Sequence, residues 1–221
     1  MLTRSVELLC WVCGESFEGE EPRSYTVSGR GSVLCPRPIG GNPLALLIHV
    51  CPTCGFAGDG RAFAPEEADE QIRQWVLGGG AAAVPTDGGA AHLRYERAAL
   101  CHVHRQRPSP LQMFEYYVAA SWSAQIEEVP EAARAAQVEA AHHLEQALLA
   151  GEVANEERAI MNYLAGELHR RTGDFKAALQ LFDESAIEFT RHGGPKWLIS
   201  ALGQQAGLAK RESTESAELA E

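Results

Sequence analysis

The chain has 221 residues, a formal net charge of −11 and a pI near 5.2. This length allows one sizeable core, or a small domain beside a helical one. Nucleic-acid affinity comes largely from Lys and Arg side chains that neutralise phosphates, so the acidic balance disfavours a nucleic-acid-binding protein. No apolar run approaches the ~18 residues that a membrane-spanning helix needs, and the sequence therefore predicts no membrane segment.

The N-terminal sequence MLTRSVELLC lacks the apolar stretch and the small-residue cleavage site of a secretory signal. We therefore expect the protein in the cytoplasm. In that reducing compartment, two Cys-x-x-Cys pairs are typical of metal ligands or redox groups rather than of structural disulfides.

Residues 1–62 are rich in Cys, Gly and Pro and contain short β-like runs at 25–27 and 44–50. A segment of this size is too small to be stabilised by apolar burial alone. A bound metal ion that crosslinks the chain would supply the additional folding stability. The sequence therefore predicts a β-rich zinc-binding module of the knuckle or ribbon type over residues 1–62.

Two knuckle sequences carry the expected ligands, Cys10 with Cys13 and Cys51 with Cys54. Structural zinc takes four ligands in a tetrahedron and prefers thiolates. A Gly follows each pair, where it permits the left-handed backbone that closes such a turn. The 37 residues between Cys13 and Cys51 exceed the ~15–20 of the simplest motif, so we expect an inserted hairpin or loop. We predict one structural zinc ion; iron in the same sulfur site and a redox dithiol are the alternatives.

A fifth cysteine, Cys35, lies within this insertion. Its simplest interpretation is a small buried hydrophobic residue. The alternative is a reactive thiol or a replacement metal ligand, with the nearby Arg37 stabilising the thiolate. A reactive Cys35 predicts fast labelling and a depressed pKa.

Cys101, His102 and His104 resemble a metal cluster in the sequence but fall in a predicted helix. Residues two apart in a helix point to nearly opposite sides, so His102 and His104 are not expected to share an ion. His142 and His143 diverge by roughly 100° and are interpreted in the same way. We expect all five residues to serve surface or core packing.

The rest of the chain is predicted to be helical. Residues 63–90 are expected to form a short helix from Pro65 to about Gly78, followed by a Gly/Ala-rich connection. Residues 91–211 alternate apolar stripes at helical spacing with Pro and Gly breakers, which predicts a helical domain. Residues 212–221 form a polar, acidic tail that we expect to be frayed.

One helical pair carries a more specific pattern. A tetratricopeptide repeat places small residues where helices approach and an aromatic residue in the gap between them. The residues at these offsets are Gly166, Gly173, Asp174, Phe175, Ala178 and Phe182. The predicted fold class is therefore mostly α, a small β-rich zinc-binding N-terminal module followed by a tetratricopeptide-like helical stack. A generic helical bundle is the alternative.

The sequence contains no phosphate-binding Gly-x-x-x-x-Gly-Lys-Ser/Thr loop, no Gly-x-Ser-x-Gly elbow and no His-Glu-x-x-His pair. A site of four cysteines around zinc is also saturated, with no open position at which water is activated. These features favour a protein without enzymatic activity.

The order of short motifs resembles that of an uncharacterised bacterial family, domain of unknown function 2225. The motifs are Cys10-x-x-Cys13-Gly14, then Cys35-Pro36-Arg37 leading to Gly41-Asn42-Pro43, then Cys51-Pro52-x-Cys54-Gly55-Phe56-Ala57. The resemblance implies metal binding at the matching cysteines and draws attention to Cys35 and Asn42. It also implies that helices similar to tetratricopeptide repeats follow the motifs, and it implies no activity.

Helical repeats bury a continuous core and leave a concave face, which favours partner binding. The sequence therefore predicts a cytoplasmic, zinc-stabilised interaction (adaptor) protein that presents a helical surface to a protein or peptide. The alternatives are a redox or enzymatic protein that uses Cys35, and nucleic-acid binding through residues 1–62.

Overall fold

A computed structural model describes residues 1–65, 67–80 and 89–219. The strands are β1 (Leu2–Leu9), β2 (Ser16–Ser24), β3 (Thr26–Arg30), β4 (Pro36–Ile39), β5 (His49–Val50) and β6 (Ala57–Gly58). The α-helices are α1 (Glu70–Leu77), α2 (Ala91–Val103), α3 (Pro110–Ile126), α4 (Pro130–Ala150), α5 (Arg158–Thr172), α6 (Phe175–His192) and α7 (Trp197–Lys210). The predicted class, mostly α with a small N-terminal β region, is confirmed.

The strands form three separate antiparallel pairs, β1 with β2, β3 with β4 and β5 with β6. The first and third pairs each carry a Cys-x-x-Cys turn between their strands. The second pair, β3–β4, is the insertion expected between the two turns, and it forms its own two-stranded sheet.

The apolar run at 44–50, predicted as β-like, pairs as a strand only at its last two residues, and the prediction is wrong for residues 44–48. Pro43–Leu46 forms a short 3-10 helix, and only His49–Val50 pairs as a strand. The cause is local, since the Asn42 side chain accepts a hydrogen bond from the N–H of Leu44 at 3.0 Å and Pro43 occupies the first helical turn. Polar capping therefore overrides the β preference of the apolar side chains.

The first α-helix begins later than predicted. It starts at Glu70 rather than near Pro65, because the Asp69 carboxylate accepts hydrogen bonds from two N–H groups of the first turn, at 3.1 and 3.3 Å. Its buried face consists of Ile72 and Val76, as the periodicity indicates. Most of the predicted Gly/Ala-rich connection lies outside the described residues.

From α2 to α7, each helix packs against the next one along the chain, and α5 also contacts α7. Short connections make successive helices antiparallel neighbours. Gly151 and Gly173, two of the breakers that the sequence predicts, end α4 and α5 with φ of +72° and +100°. Both adopt the left-handed conformation that a helix C-terminus favours.

The α5–α6 pair has the close approach that its small residues predict. A Cβ added at Gly166 would lie 2.8 Å from ring atoms of Phe182 and 3.1 Å from the carbonyl oxygen of Ala178. Phe182 thus occupies the space above Gly166 and is itself buried.

The strand region and the first helices share one core. Its buried members are Cys10, Val12, Leu44, Ile48, Cys51, Phe56, Ala57, Phe63, Ile72, Val76, Tyr95, Ala98, Ala99, Cys101, Met113, Tyr116, Ala120 and Ala136. The two knuckles therefore pack directly on α2 and α3, and this core continues across the boundary predicted at residue 62.

The acidic tail is bound to the body of the protein, so the expectation of a frayed segment is wrong for residues 213–219. The N–H of Ser32 donates to the carbonyl of Ala217 at 2.9 Å, and the guanidinium of Arg170 donates to the carbonyls of Ser213 and Glu215. Long-range hydrogen bonds of this kind have no local sequence signature. Among the described helices, none combines the length and the apolar character required to cross a membrane.

Candidate metal centre

Four thiols from two separate hairpins converge in the N-terminal region. The Sγ atoms of Cys10, Cys13, Cys51 and Cys54 all lie within 4.8 Å of one another. The Cys10–Cys54 and Cys13–Cys51 sulfur pairs are each 3.6 Å apart. A disulfide bond is ~2.05 Å long, whereas a tetrahedron with ~2.3 Å metal–sulfur bonds has edges of about 3.8 Å. The four sulfurs therefore have the spacing that a tetrahedral metal ion requires.

Both Cys-x-x-Cys turns are closed by the same backbone hydrogen bonds. In each, the N–H of the first Cys donates to the carbonyl five residues later, at 2.9 Å for Cys10 and 2.8 Å for Cys51. The N–H of the following Gly donates back to the first Cys carbonyl, at 2.7 Å for Gly14 and 2.9 Å for Gly55. These two glycines have φ of +83° and +76°. Both glycines thus adopt the left-handed conformation that the sequence predicts for them.

Aromatic packing fixes one turn against the other. The ring of Trp11 lies edge-on to Phe56, with centroids 5.4 Å apart, and its indole N–H donates to the carbonyl of Ala62 at 2.9 Å. Cys10 and Cys51 are 0% exposed, and Val12 between the first pair is fully buried. Cys13 and Cys54 are partly buried, so the cluster lies at the edge of a packed core, a setting that suits a structural ion.

The clustered thiols influence one another's ionisation. The hydrogen bond from Cys54 lowers the pKa of Cys10 to about 5, and the same contact raises the pKa of Cys54. Burial, as the largest cause, raises the pKa of Cys13. A cation at the centre would favour the thiolate form of all four cysteines, because metal binding displaces thiol protons.

A buried arginine near the centre was not predicted from the sequence. Arg97 in α2 is almost fully buried; burial lowers its pKa, whereas the charges of Cys101 and Cys54 raise it. Four thiolates around a divalent ion carry excess negative charge, and a buried cation offsets part of it. An isolated Arg within a predicted helix gives no sequence signal for this position.

The family model described as "Uncharacterized protein conserved in bacteria (DUF2225)" matches residues 4–201. The chain belongs to this family. The match covers all four clustered cysteines and reaches into α7, so the resemblance stated from the motifs is confirmed. No curated protein and no solved structure matches the chain.

In this DUF2225 chain, Cys35 lies apart from the four-cysteine cluster. It is buried, with its Sγ 3.6 Å from the carbonyl of Pro36 and 3.9 Å from that of Trp122. Burial raises the pKa of the Cys35 thiol to about 11, although the charge of Arg37 opposes the shift. This direction is opposite to the one that a reactive thiol needs, and it favours the packing interpretation.

The turn that precedes Cys35 is bound by the helices. The indole N–H of Trp122 donates to the carbonyl of Val33 at 2.9 Å, and the Tyr163 hydroxyl donates to the carbonyl of Ser32 at 3.0 Å. Both aromatic rings pack on the buried side of their helices, and the indole N–H and the hydroxyl satisfy two carbonyl acceptors of the turn. Their apolar periodicity is visible in the sequence, but the partner of each polar tip is not.

The remaining candidates have structural contacts of their own. Asn42 caps the 3-10 helix, and the Nε2 of His102 accepts a hydrogen bond from the N–H of Ser109 at 2.9 Å. The ring of His104 stacks on Trp75 at 4.0 Å. Among the described residues, the four-cysteine cluster is the only group with the spacing of a metal site.

Proposed function

We propose that this protein is a zinc-stabilised interaction (adaptor) protein in which the metal centre fixes the fold and the helices bind a protein or peptide. The observation that carries the proposal is the position of the four thiols. They lie in the same core as α1, α2 and α3, and two of them are completely buried. A saturated centre in that position supports the fold and has no free coordination site for chemistry.

Zinc is the metal proposed for the centre. Four thiolates in a tetrahedral arrangement are the usual ligands of structural zinc, and the 3.6 Å sulfur pairs fit its bond lengths. Iron accepts the same ligands, so metal analysis is the decisive measurement.

Metal content should be measured on protein purified without added metal, for the wild type, Cys51→Ser and Cys35→Ser. We expect one zinc per chain in the wild type, one in Cys35→Ser, and loss of zinc in Cys51→Ser. Loss of the metal from both variants alike, or a red-coloured protein containing iron, would contradict the zinc assignment.

The proposed binding surface is a groove of about 280 Å³ between α4, α5 and α6. Leu149, which is 89% exposed, lies at its edge, and Leu148 and Leu181 supply further apolar surface. Glu145 and Glu184 line the same groove. Arg158 also lines the groove but pairs with Glu188. The exposed Leu149 beside carboxylates favours a partner segment with an apolar anchor flanked by basic residues. The Gly166–Phe182 packing supports the tetratricopeptide-like interpretation of this helical pair.

A crosslinking pulldown from bacterial lysate tests the groove. The variant is Leu149→Asp, and the matched control is Ile199→Asp, since Ile199 is a 61% exposed residue on α7 outside the groove. We expect specific partners to be retained by the wild type and the control and lost by Leu149→Asp. The adaptor proposal fails if the wild type captures no specific partner, and the groove assignment fails if both variants behave alike.

A further inference from the structure

A second cavity, of about 310 Å³, lies where the end of α3, the start of α4 and the end of α5 meet the C-terminal tail. It is lined by two arginines, Arg134 and Arg171, and by Gln137, Glu128 and Thr214. In a chain with a net charge of −11, two arginines and one carboxylate give this cavity a local positive balance.

Arg171 is the least satisfied of these side chains. Its Nε and NH1 atoms are enclosed and have no hydrogen-bond partner among the described residues. Burial lowers the pKa of Arg171. A guanidinium stays charged in proteins, so enclosing its donors without an acceptor costs free energy that a bound anion would offset.

Two further groups add donors to the same cavity. Gln137 is 3% exposed and lines the cavity with its side chain. Arg134 uses one nitrogen to cap α5, donating to the carbonyl of Thr172 at 3.0 Å, and its guanidinium lines the cavity. The Gln137 amide and the partly used Arg134 guanidinium are both able to donate to a ligand in the cavity.

The start of α4 lies at the same place. Pro130, its first residue, lines the cavity, and α4 is 21 residues long. Pro130 has no N–H, and the N–H of Ala133 donates to the carbonyl of Val129 at 3.0 Å, so the helix contributes its dipole, which favours negative charge at this end. Two guanidinium groups, the Gln137 amide and the positive end of a helix dipole thus border one partly open cavity.

We propose that this cavity binds the phosphate group of a small hydroxylated molecule. A phosphate monoester has three terminal oxygens and matches the three donor-bearing side chains, Arg134, Gln137 and Arg171. The Glu128 carboxylate and the Thr214 hydroxyl are available to a hydroxyl group on the rest of the ligand. This site is separate from the metal centre and from the groove that contains Leu149.

Isothermal titration of the full-length protein tests the proposal, with inorganic phosphate and glycerol 3-phosphate as probes and acetate and glycerol as comparisons. Ionic strength is matched with chloride, because phosphate stabilises many proteins by exclusion from their surface. We expect both phosphate probes to bind at one site per chain, with the ester binding more tightly, and acetate and glycerol not to bind.

The variants are Arg171→Gln and Arg134→Gln, and the matched control is Arg191→Gln, an exposed arginine on α6 outside the cavity. Loss of a charge-assisted hydrogen bond should raise the Kd by about tenfold or more for Arg171→Gln. A smaller rise, about threefold, is expected for Arg134→Gln. The control should bind as the wild type does.

If Arg171→Gln does not fold, Arg134→Glu tests the same cavity, because Arg134 is exposed and its substitution does not alter the core. It must weaken phosphate binding at least as much as Arg134→Gln. The proposal is overturned if phosphate does not bind, if the Arg191→Gln control loses binding equally, or if acetate binds as tightly as phosphate.

Discussion

The buried ion pair between Glu167 and Arg170 connects the helical domain to the tail. The guanidinium donates to the carboxylate at 2.7 and 2.6 Å, both side chains are 0% exposed, and Arg170 also holds two tail carbonyls. Removing one member of such a pair leaves the other buried without a partner.

Arg170→Ala should therefore lower the free energy of unfolding by about 3–5 kcal/mol, measured by urea denaturation. Arg191→Ala is the matched control, since Arg191 pairs with Glu188 at the same sequence spacing but is 64% exposed. Its effect should stay below about 1 kcal/mol. Equal losses of unfolding free energy in the two variants would show that burial does not increase the contribution of the Glu167–Arg170 pair to stability.

The buried thiol of Cys35 should react slowly. A thiol reacts as the thiolate, and burial raises the pKa of both Cys35 and Cys101 to about 11. We expect both to be labelled slowly in the folded protein at pH 7.5 and rapidly after denaturation, as measured by mass spectrometry of the labelled peptides. Fast labelling of Cys35 alone would restore the reactive-thiol hypothesis.

The same pKa shifts determine a pH dependence. In the unfolded chain each of these thiols has the ordinary cysteine pKa of 9.0, so it ionises at a lower pH there than in the folded protein. The stability contributed by the neutral thiols is therefore fully present below about pH 9 and is lost as the pH rises towards 11. Cys35→Ala should make the decline in unfolding free energy over this range shallower, without changing its slope below pH 8.

The close packing of α5 against α6 requires that Gly166 has no side chain. Gly166→Ala gains helix propensity of up to about 1 kcal/mol but places a Cβ 2.8 Å from the ring of Phe182. Overpacking of this kind typically costs about 1–3 kcal/mol, so we expect net destabilisation. Gly203 in α7 is the matched control, because a Cβ there meets nothing within 4 Å.

Thermal or urea unfolding compares the two glycine variants directly. Gly203→Ala should be neutral or stabilising by up to about 1 kcal/mol, whereas Gly166→Ala should lower stability. If both substitutions stabilise the protein, the α5–α6 contact is looser than the structure indicates, and the proposal of a tetratricopeptide-like pair loses its support.

The elements differ in how far the sequence could predict them, and the reason is the range of the interactions. Gly14, Gly151 and Gly173 act within a few residues, so the sequence predicts the closure of the first knuckle and the ends of α4 and α5. Asn42 is also a local capping signal, but the apolar residues that follow it favour a strand, and the cap prevails over that preference.

Other features rest on contacts between distant parts of the chain. Trp122 reaches Val33 across 89 positions, and Ala217 accepts from Ser32 across more than that. Neither periodicity nor spacing specifies such pairings. The site could thus be predicted at its four ligands, whereas the surrounding Arg97 and the attached tail could not.

In the molecule as a whole, the four-cysteine cluster and helices α1 to α3 share one core. Cys10 and Cys51 share a core with Ile72 of α1, Tyr95 of α2 and Tyr116 of α3. Because structural metal binding contributes directly to folding free energy, loss of the ion should weaken this entire core and not the knuckles alone.

Hydrogen exchange with and without a zinc chelator measures the extent of that coupling. We expect amides of β1, β2, β5 and β6 to lose protection together with those of α2 and α3, while α6 and α7, which pack in a separate cluster, retain more. Cys51→Ser should reproduce the chelated pattern without chelator, which controls for effects of the chelator on other parts of the chain. Loss confined to residues 1–58 would mean that the N-terminal region folds as an independent module, and the shared core would then contribute little to the stability of the helices.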